Sequence, residues 1–343
     1  MDICAAVNTN IANWTAQQGE RNMTKGGQWG SVGEYNEETT HSHHHDFVGE
    51  AMSVPVLVVL GSLHALSILN GVLGNTLLLV ALFTDKPFRI LSNTYSVYLV
   101  NLVLVDLYLL AYYFPMMLAG FILGRYPAVN HTHCVVTAYL STVSYQTTLL
   151  TLLLVSADRY VRVRHNHFYK KHCSRKSSAI ACVFTWVLGS VVALPMWLDG
   201  TFGFNPKLHT CQSAEDKGPT YGLLAFVVVG LLTVVGYGTL NFRLYRVICA
   251  FKRRNAQVPV SAREDVALLR SIFVIFVCLL VCLVTNAVVR LVAVFVEIPV
   301  EVYGVCVVIM SVNSSVSWMV FCVTNARFRY GYKRALSKMC RRL

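Results

Sequence analysis

The sequence predicts an all-α membrane protein: a bundle of seven transmembrane helices followed by a short amphipathic eighth. Three observations carry that prediction. First, seven long apolar stretches centre near residues 60–83, 95–118, 136–155, 180–197, 221–241, 271–292 and 302–323. About 20 consecutive apolar residues take a helix across a bilayer, and a helix buried in a soluble domain rarely needs so many. Second, basic clusters follow the first, third, fifth and seventh stretches. Third, 13% of the 343 residues are charged and 55% are hydrophobic, with mean hydropathy +0.53. A soluble domain carries about 25% charge.

The placement of charge excludes nucleic acid as the partner implied by a net charge of +12. Lys86 and Arg89 follow the first stretch. Arg162, Arg164, Lys170, Lys171, Arg175 and Lys176 follow the third. Lys252, Arg253, Arg254 and Arg263 follow the fifth, and Arg327, Arg329, Lys333, Arg334, Lys338, Arg341 and Arg342 follow the seventh. The alternate loops are poor in Lys and Arg, so the positive-inside rule puts the N-terminus outside and the C-terminus in the cytoplasm. Three regions result: an outer tail at 1–52, the bundle at 53–324, and an eighth helix with a short tail at 325–343. The outer tail is polar and expected to be disordered. It carries two glycosylation acceptors, Asn13 and Asn22; a third candidate, Asn130, lies close to the membrane. His41, His43, His44 and His45 read either as metal ligands or as a solvated run, and nothing in the sequence fixes their geometry.

Taken in order, the first stretch contains Gly74-Asn75. The second carries Asp106 at mid-helix, after Asn101-Leu102. A carboxylate at that depth is expensive and faces the bundle interior or a wet cavity. With Asn75, Thr148 and Asn313 as oxygen-bearing neighbours, it reads as a site for a small cation such as Na⁺ or for a proton, or as a polar network joining helices. The third stretch opens on Cys134 and ends on Asp158-Arg159-Tyr160. Arg159 is expected at the cytoplasmic boundary, its stem snorkelling and its guanidinium held by Asp158, with Glu264 offering a second carboxylate. Cys134 lies 25 residues before Arg159, roughly 38 Å along a helix, about one membrane thickness. It therefore falls at the outer mouth, within reach of Cys211, a spacing consistent with a disulfide without requiring one. The fourth stretch holds Trp186. Beyond the seventh, residues 326–336 alternate basic and apolar at helical spacing, which suits a helix on the inner leaflet in contact with membrane lipid. Cys340 is either acylated or a reduced thiol.

Together these residues resemble the rhodopsin-like G-protein-coupled receptors: Gly74-Asn75, Asn101-Leu102 to Asp106, Cys134, Asp158-Arg159-Tyr160, Trp186, Cys211, and the turn from Asn325 to Phe328. A closer resemblance is to the melatonin-receptor group and its orphan invertebrate relatives. It is carried by His165 to Lys171 with Ser174 to Ser178, and by Leu194-Pro195, Gly200-Thr201 and Asn205-Pro206-Lys207 to Cys211. The resemblance implies a receptor, not an enzyme, that binds an extracellular small molecule or short peptide and activates a heterotrimeric G protein. Gi/o-like coupling is the first expectation. The implied ligand pocket comprises Ser141, Tyr145, Asn286, Val289, Arg290 and Val307, and no cofactor is expected beyond a possible Na⁺.

The departures from that pattern matter as much. The positions where the melatonin group reads its ligand hold Met196, Ser213, Glu215 and Val229, so the hydrogen-bonding groups that would discriminate melatonin are gone. Cys282 and Val284 stand where the sixth helix usually carries Trp and Pro. Thr233 and Asn241 replace a Pro and a Tyr of the fifth, and Ser317, Trp318 and Phe321 replace the Asn, Pro and Tyr of the seventh. Without those prolines the last three helices are expected to be straighter, and Ser317 is expected to remove an oxygen from the Asp106 site. These losses support a second reading, a non-signalling or constitutively biased receptor acting as scaffold or dimer partner. A transporter would show paired repeats and broken helices, and neither is visible.

Overall fold

The computed structural model describes residues 52–84, 94–127, 130–213, 221–253, 260–293, 295–324 and 326–340. Asn13, Asn22 and the histidine run lie outside them. So do the side chains of Ser213, Glu264 and Cys340 and all of Glu215.

Among the described residues, seven helices are long and apolar enough to cross a membrane. The first is α1 (Val54–Thr84). The second span is interrupted: α2 (Thr94–Tyr108), one π-helical turn (Leu109–Tyr113) and α3 (Phe114–Leu123). The physical cause is Pro115 in the first turn of α3; it has no N–H to give the preceding turn, and a wider turn absorbs the mismatch. Gly124, at φ 65°, ends α3 in a left-handed conformation that costs glycine little. The third span is α4 (His131–Arg164), the long central helix. Asn130 caps it, its Oδ1 accepting from the His133 N–H at 2.8 Å. The third candidate glycosylation asparagine is thus engaged as a helix cap.

A short α5 (Asn166–His172) leads into the fourth span, α6 (Arg175–Leu198). The start of α6 is a reciprocal Ser174–Ser177 cap. The all-α expectation needs one amendment here. Strands β1 (Phe202–Asn205) and β2 (Thr210–Ser213) pair antiparallel, Phe202 opposite Ser213 and Asn205 opposite Thr210. The remaining spans are α7 (Tyr221–Arg253), α8 (Val260–Ala293) and α9 (Val300–Thr324), followed by α10 (Ala326–Cys340).

The core has three parts. At the Arg159 end, Leu78, Leu99, Leu152, Tyr237, Ile272, Phe321 and Tyr332 pack together. At the opposite end, Leu109, Leu110, Tyr113, Phe114, Met117, Tyr303 and Val307 form a second cluster. A third surrounds Cys134 and Cys211 with Met196 and Phe202. Helices α1 and α9 come especially close because Gly74 has no side chain: a Cβ there would run into the Trp318 indole. Tyr332 of α10 stacks on Trp318 (ring centroids 5.6 Å), and its hydroxyl donates to the Gly74 carbonyl at 2.9 Å. Three elements therefore meet at Trp318, where the family resemblance leads one to expect a proline.

Candidate functional site

Near the C-terminal end of α4, Arg159 Nη2 lies 2.9 Å from Asp158 Oδ2, and the arginine side chain is only 1% exposed. The expectation of a snorkelling arginine is corrected: neighbouring helices close over it and the guanidinium is held inside the bundle. Asp158 has a second partner that the sequence reading missed. The Tyr169 hydroxyl of α5 donates to both carboxylate oxygens, at 3.1 and 3.3 Å. Burial, and then the neighbouring Asp158 charge, push the Tyr169 phenol above its ordinary range; it stays protonated and remains a donor. The Arg162 guanidinium sits 5.9 Å from the centre of the same ring. A tyrosine eleven residues after Asp158 within a run of His and Lys was the available signal.

Asn241 donates to Ser156 Oγ at 3.1 Å and to the Tyr237 carbonyl at 2.8 Å, tying α7 to α4 one turn above Arg159. Phe321 is buried in the core. Tyr160 is half-buried, its ring edge-on to His165 at 6.3 Å. Glu264 falls in α8, but its side chain is outside the described set.

Asp106 is buried, and the hydroxyls of Ser314 and Ser317 face its carboxyl. The expectation that Ser317 removes an oxygen from this site is therefore corrected: its shorter side chain still presents one. Asn75 donates to the carbonyls of Gly71 and Ser314. Thr148 donates to Ser144 O of its own helix. The Oδ1 atoms of Asn75 and Asn313 are buried without a hydrogen-bond partner among the described residues. Ser314 and Ser317 are thus the side chains that the described structure brings to the Asp106 carboxyl. Nearby, Asn101 joins three spans, donating to Thr151 and accepting from Trp186 Nε1, both at 2.8 Å.

At the other end, Cys134 and Cys211 form a disulfide, with Cα atoms 5.2 Å apart. It pins β2 to the start of α4. Of the six expected pocket residues, Tyr145, Val289 and Val307 meet in one cluster with Tyr113 and Leu208. Ser141 is buried and donates to the Ala138 carbonyl at 2.9 Å; the Tyr113 phenol lies beside it. Tyr145 Oη and Asn286 Nδ2 are buried without partners. Arg290 lies within electrostatic range of Tyr113 in the π-helical turn and Cys306 in α9. Sequence reasoning missed Tyr113 and Leu208, because neither position carries a recognisable motif.

Comparison with known proteins agrees with this geometry. The pattern of the 7 transmembrane receptor (rhodopsin family) matches residues 74–320. The chain is 22% identical over 286 residues to melatonin receptor type 1A of Mus musculus, covering 80% of this chain and 79% of that protein. It is 24% identical over 293 residues to melatonin receptor type 1A-A of Danio rerio, 83% of each. With melatonin receptor type 1B of Rattus norvegicus it shares 23% over 280 residues, 78% of this chain and 74% of the relative. Matched across most of its bundle, the chain belongs to the rhodopsin family of seven-transmembrane receptors, multi-pass plasma-membrane proteins that couple an extracellular ligand to a G protein and catalyse no reaction.

Proposed function

We propose that the chain, with its N-terminus outside, binds an extracellular small molecule or short peptide other than melatonin at the disulfide end and activates a Gi/o-like heterotrimeric G protein at the Arg159 end. The observation that carries the reading is the buried Asp158–Arg159 pair, restrained by Tyr169. A charge held this way is a two-state element: a ligand that prefers a conformation with α8 displaced would release Arg159 and open a groove for the G protein. Exclusion of melatonin rests on position. Met196 is packed against the disulfide cluster, and Val229 offers no polar atom, so a polar ligand group brought there would stay unpaired. The Asp106 residues fit a Na⁺ ion, which when bound would supply positive charge to an otherwise isolated carboxylate. Contact with anionic lipid is supported by α10, where Arg329 and Lys333 are exposed while Tyr332 is buried.

The test is ligand-free guanine-nucleotide exchange on purified Gi/o-class and stimulatory-class G proteins at matched receptor density. Arg159→Ala is expected to reduce exchange on the Gi/o class. If the parent chain drives measurable exchange and Arg159→Ala leaves it unchanged, the scaffold or dimer-partner reading replaces this one.

A further inference from the structure

The expected ligand cavity at the disulfide end is lined in part by the receptor itself. The segment joining β1 to β2 does not arch over the bundle; it enters it. Leu208 is 1% exposed, His209 2% and Thr210 0%, unusual for the tip of a hairpin, which ordinarily lies in solvent. Leu208 packs in the same apolar cluster as Met117, Tyr303 and Val307. The His209 ring lies 4.7 Å from that of Phe121, and its carbonyl occupies the space left by Gly120, where a Cβ would come within 2.5 Å. Thr210 borders the Tyr113 phenol, which also lies beside Ser141. Lys207 covers the Tyr303 ring at 5.7 Å.

Two backbone features hold the segment in this inward course. Asn205 Oδ1 accepts from the N–H groups of both Lys207 and Leu208 at 3.0 Å, which closes the turn. His209 is, among the described residues, the one non-glycine with positive φ, at 49°. That conformation is uncommon outside glycine and persists where surrounding contacts impose it. It falls at the last residue of the turn, directly before β2.

We infer that Lys207 to Thr210 is a built-in peptide occupant of the ligand site, so that a diffusible ligand gains the cavity by displacing Leu208 and His209. The inference rests on reading the disulfide end as the ligand site. It assigns that site a chemistry suited to a short peptide-like group: an apolar floor at Val307, an aromatic wall at Phe121, and a cation-accepting ring at Tyr303.

The experiment reads access to the cavity without reference to signalling. In a Cys306→Ser background, Val307→Cys is labelled on intact cells with a membrane-impermeant methanethiosulfonate reagent, with and without Leu208→Ala. The truncation should speed labelling about tenfold or more, since deleting a buried leucine removes most of the packing that seats the segment. Equal rates with both loops at the cell surface overturn the proposal. A second arm covers failure of Leu208→Ala to fold. Leu208→Cys, in the otherwise intact loop, should label about tenfold or more slowly than Glu297→Cys, an exposed position at the same end, as expected for a buried thiol. Comparable rates for the two overturn the proposal equally. A silent exchange assay together with a protected Leu208→Cys would defeat the signalling proposal and leave this one standing.

Discussion

Asp158 and Asp106 are both buried carboxylates, but they are compensated differently, and that difference separates their roles. Asp158 has a cation at 2.9 Å and a phenol donating to both oxygens, so its charge is satisfied within the protein. Removing the phenol alone, with Tyr169→Phe, withdraws a hydrogen bond to a charged group, worth about 1.5–3 kcal/mol. It should loosen the resting pair and raise basal nucleotide exchange several-fold; unchanged exchange would remove Tyr169 from the mechanism. Among the described residues, Asp106 is faced by the hydroxyls of Ser314 and Ser317 and has no cation beside it. At a Na⁺ concentration about ten times the dissociation constant, linkage would stabilise the resting state by about 1.4 kcal/mol. The melting temperature of the purified receptor should then be higher in NaCl than in KCl, and Asp106→Asn should abolish the difference. An identical sodium response in the Asn variant would place the ion elsewhere.

Among the elements, α1, α9 and α10 meet at one junction built on Gly74, Trp318 and Tyr332. A proline in the seventh span would leave a carbonyl unpaired and invite a bend. Trp318 continues the helix instead and fills the space over Gly74, with Tyr332 stacked upon it and bonded to the Gly74 carbonyl. Trp318 and Tyr332 therefore attach this helix and α10 to α1. Trp318→Ala should lower the unfolding free energy by about 3–5 kcal/mol, the range for truncating a packed aromatic. Tyr332→Phe should cost about 1 kcal/mol through the lost hydrogen bond. Thermal unfolding in detergent checks both. Equal effects from the two substitutions would mean that the hydroxyl, not the ring packing, holds α10 in place.

For the molecule as a whole, the polar devices are divided between two ends and a middle. A restrained arginine lies at one end, a carboxylate with unpaired oxygens in the middle, and a disulfide-pinned hairpin at the other. A ligand at the hairpin end reaches Arg159 only through the helices between, so its effect depends on differential affinity for two packings of the bundle. Likeness to melatonin receptors over most of the chain does not by itself carry their ligand across, and the proposed exclusion of melatonin rests on Met196 and Val229, whose side chains donate no hydrogen bond. Membranes bearing this receptor should show no saturable binding of radiolabelled melatonin at nanomolar concentrations. Such binding, if observed, would mean that other groups of the cavity supply the lost hydrogen bonds.

The sequence by itself determined the seven spans, because a bilayer imposes a length and an apolarity that no neighbour can override. It also determined the amphipathic α10, and it brought Cys134 within reach of Cys211, since position along a long helix fixes height in the membrane. The Asp158–Arg159 contact was legible for the same reason: the two residues are adjacent in sequence. Only the tertiary structure decided which side chains meet across helices. Tyr169 reaches Asp158, Ser317 faces Asp106, and Leu208 joins the apolar cluster that holds Val307, and none of these pairs shares a helix or a sequence period. Their meeting depends on how each helix is rotated about its axis, and that rotation is set by close packing, such as the Trp318 ring against Gly74, over residues that hydropathy treats alike.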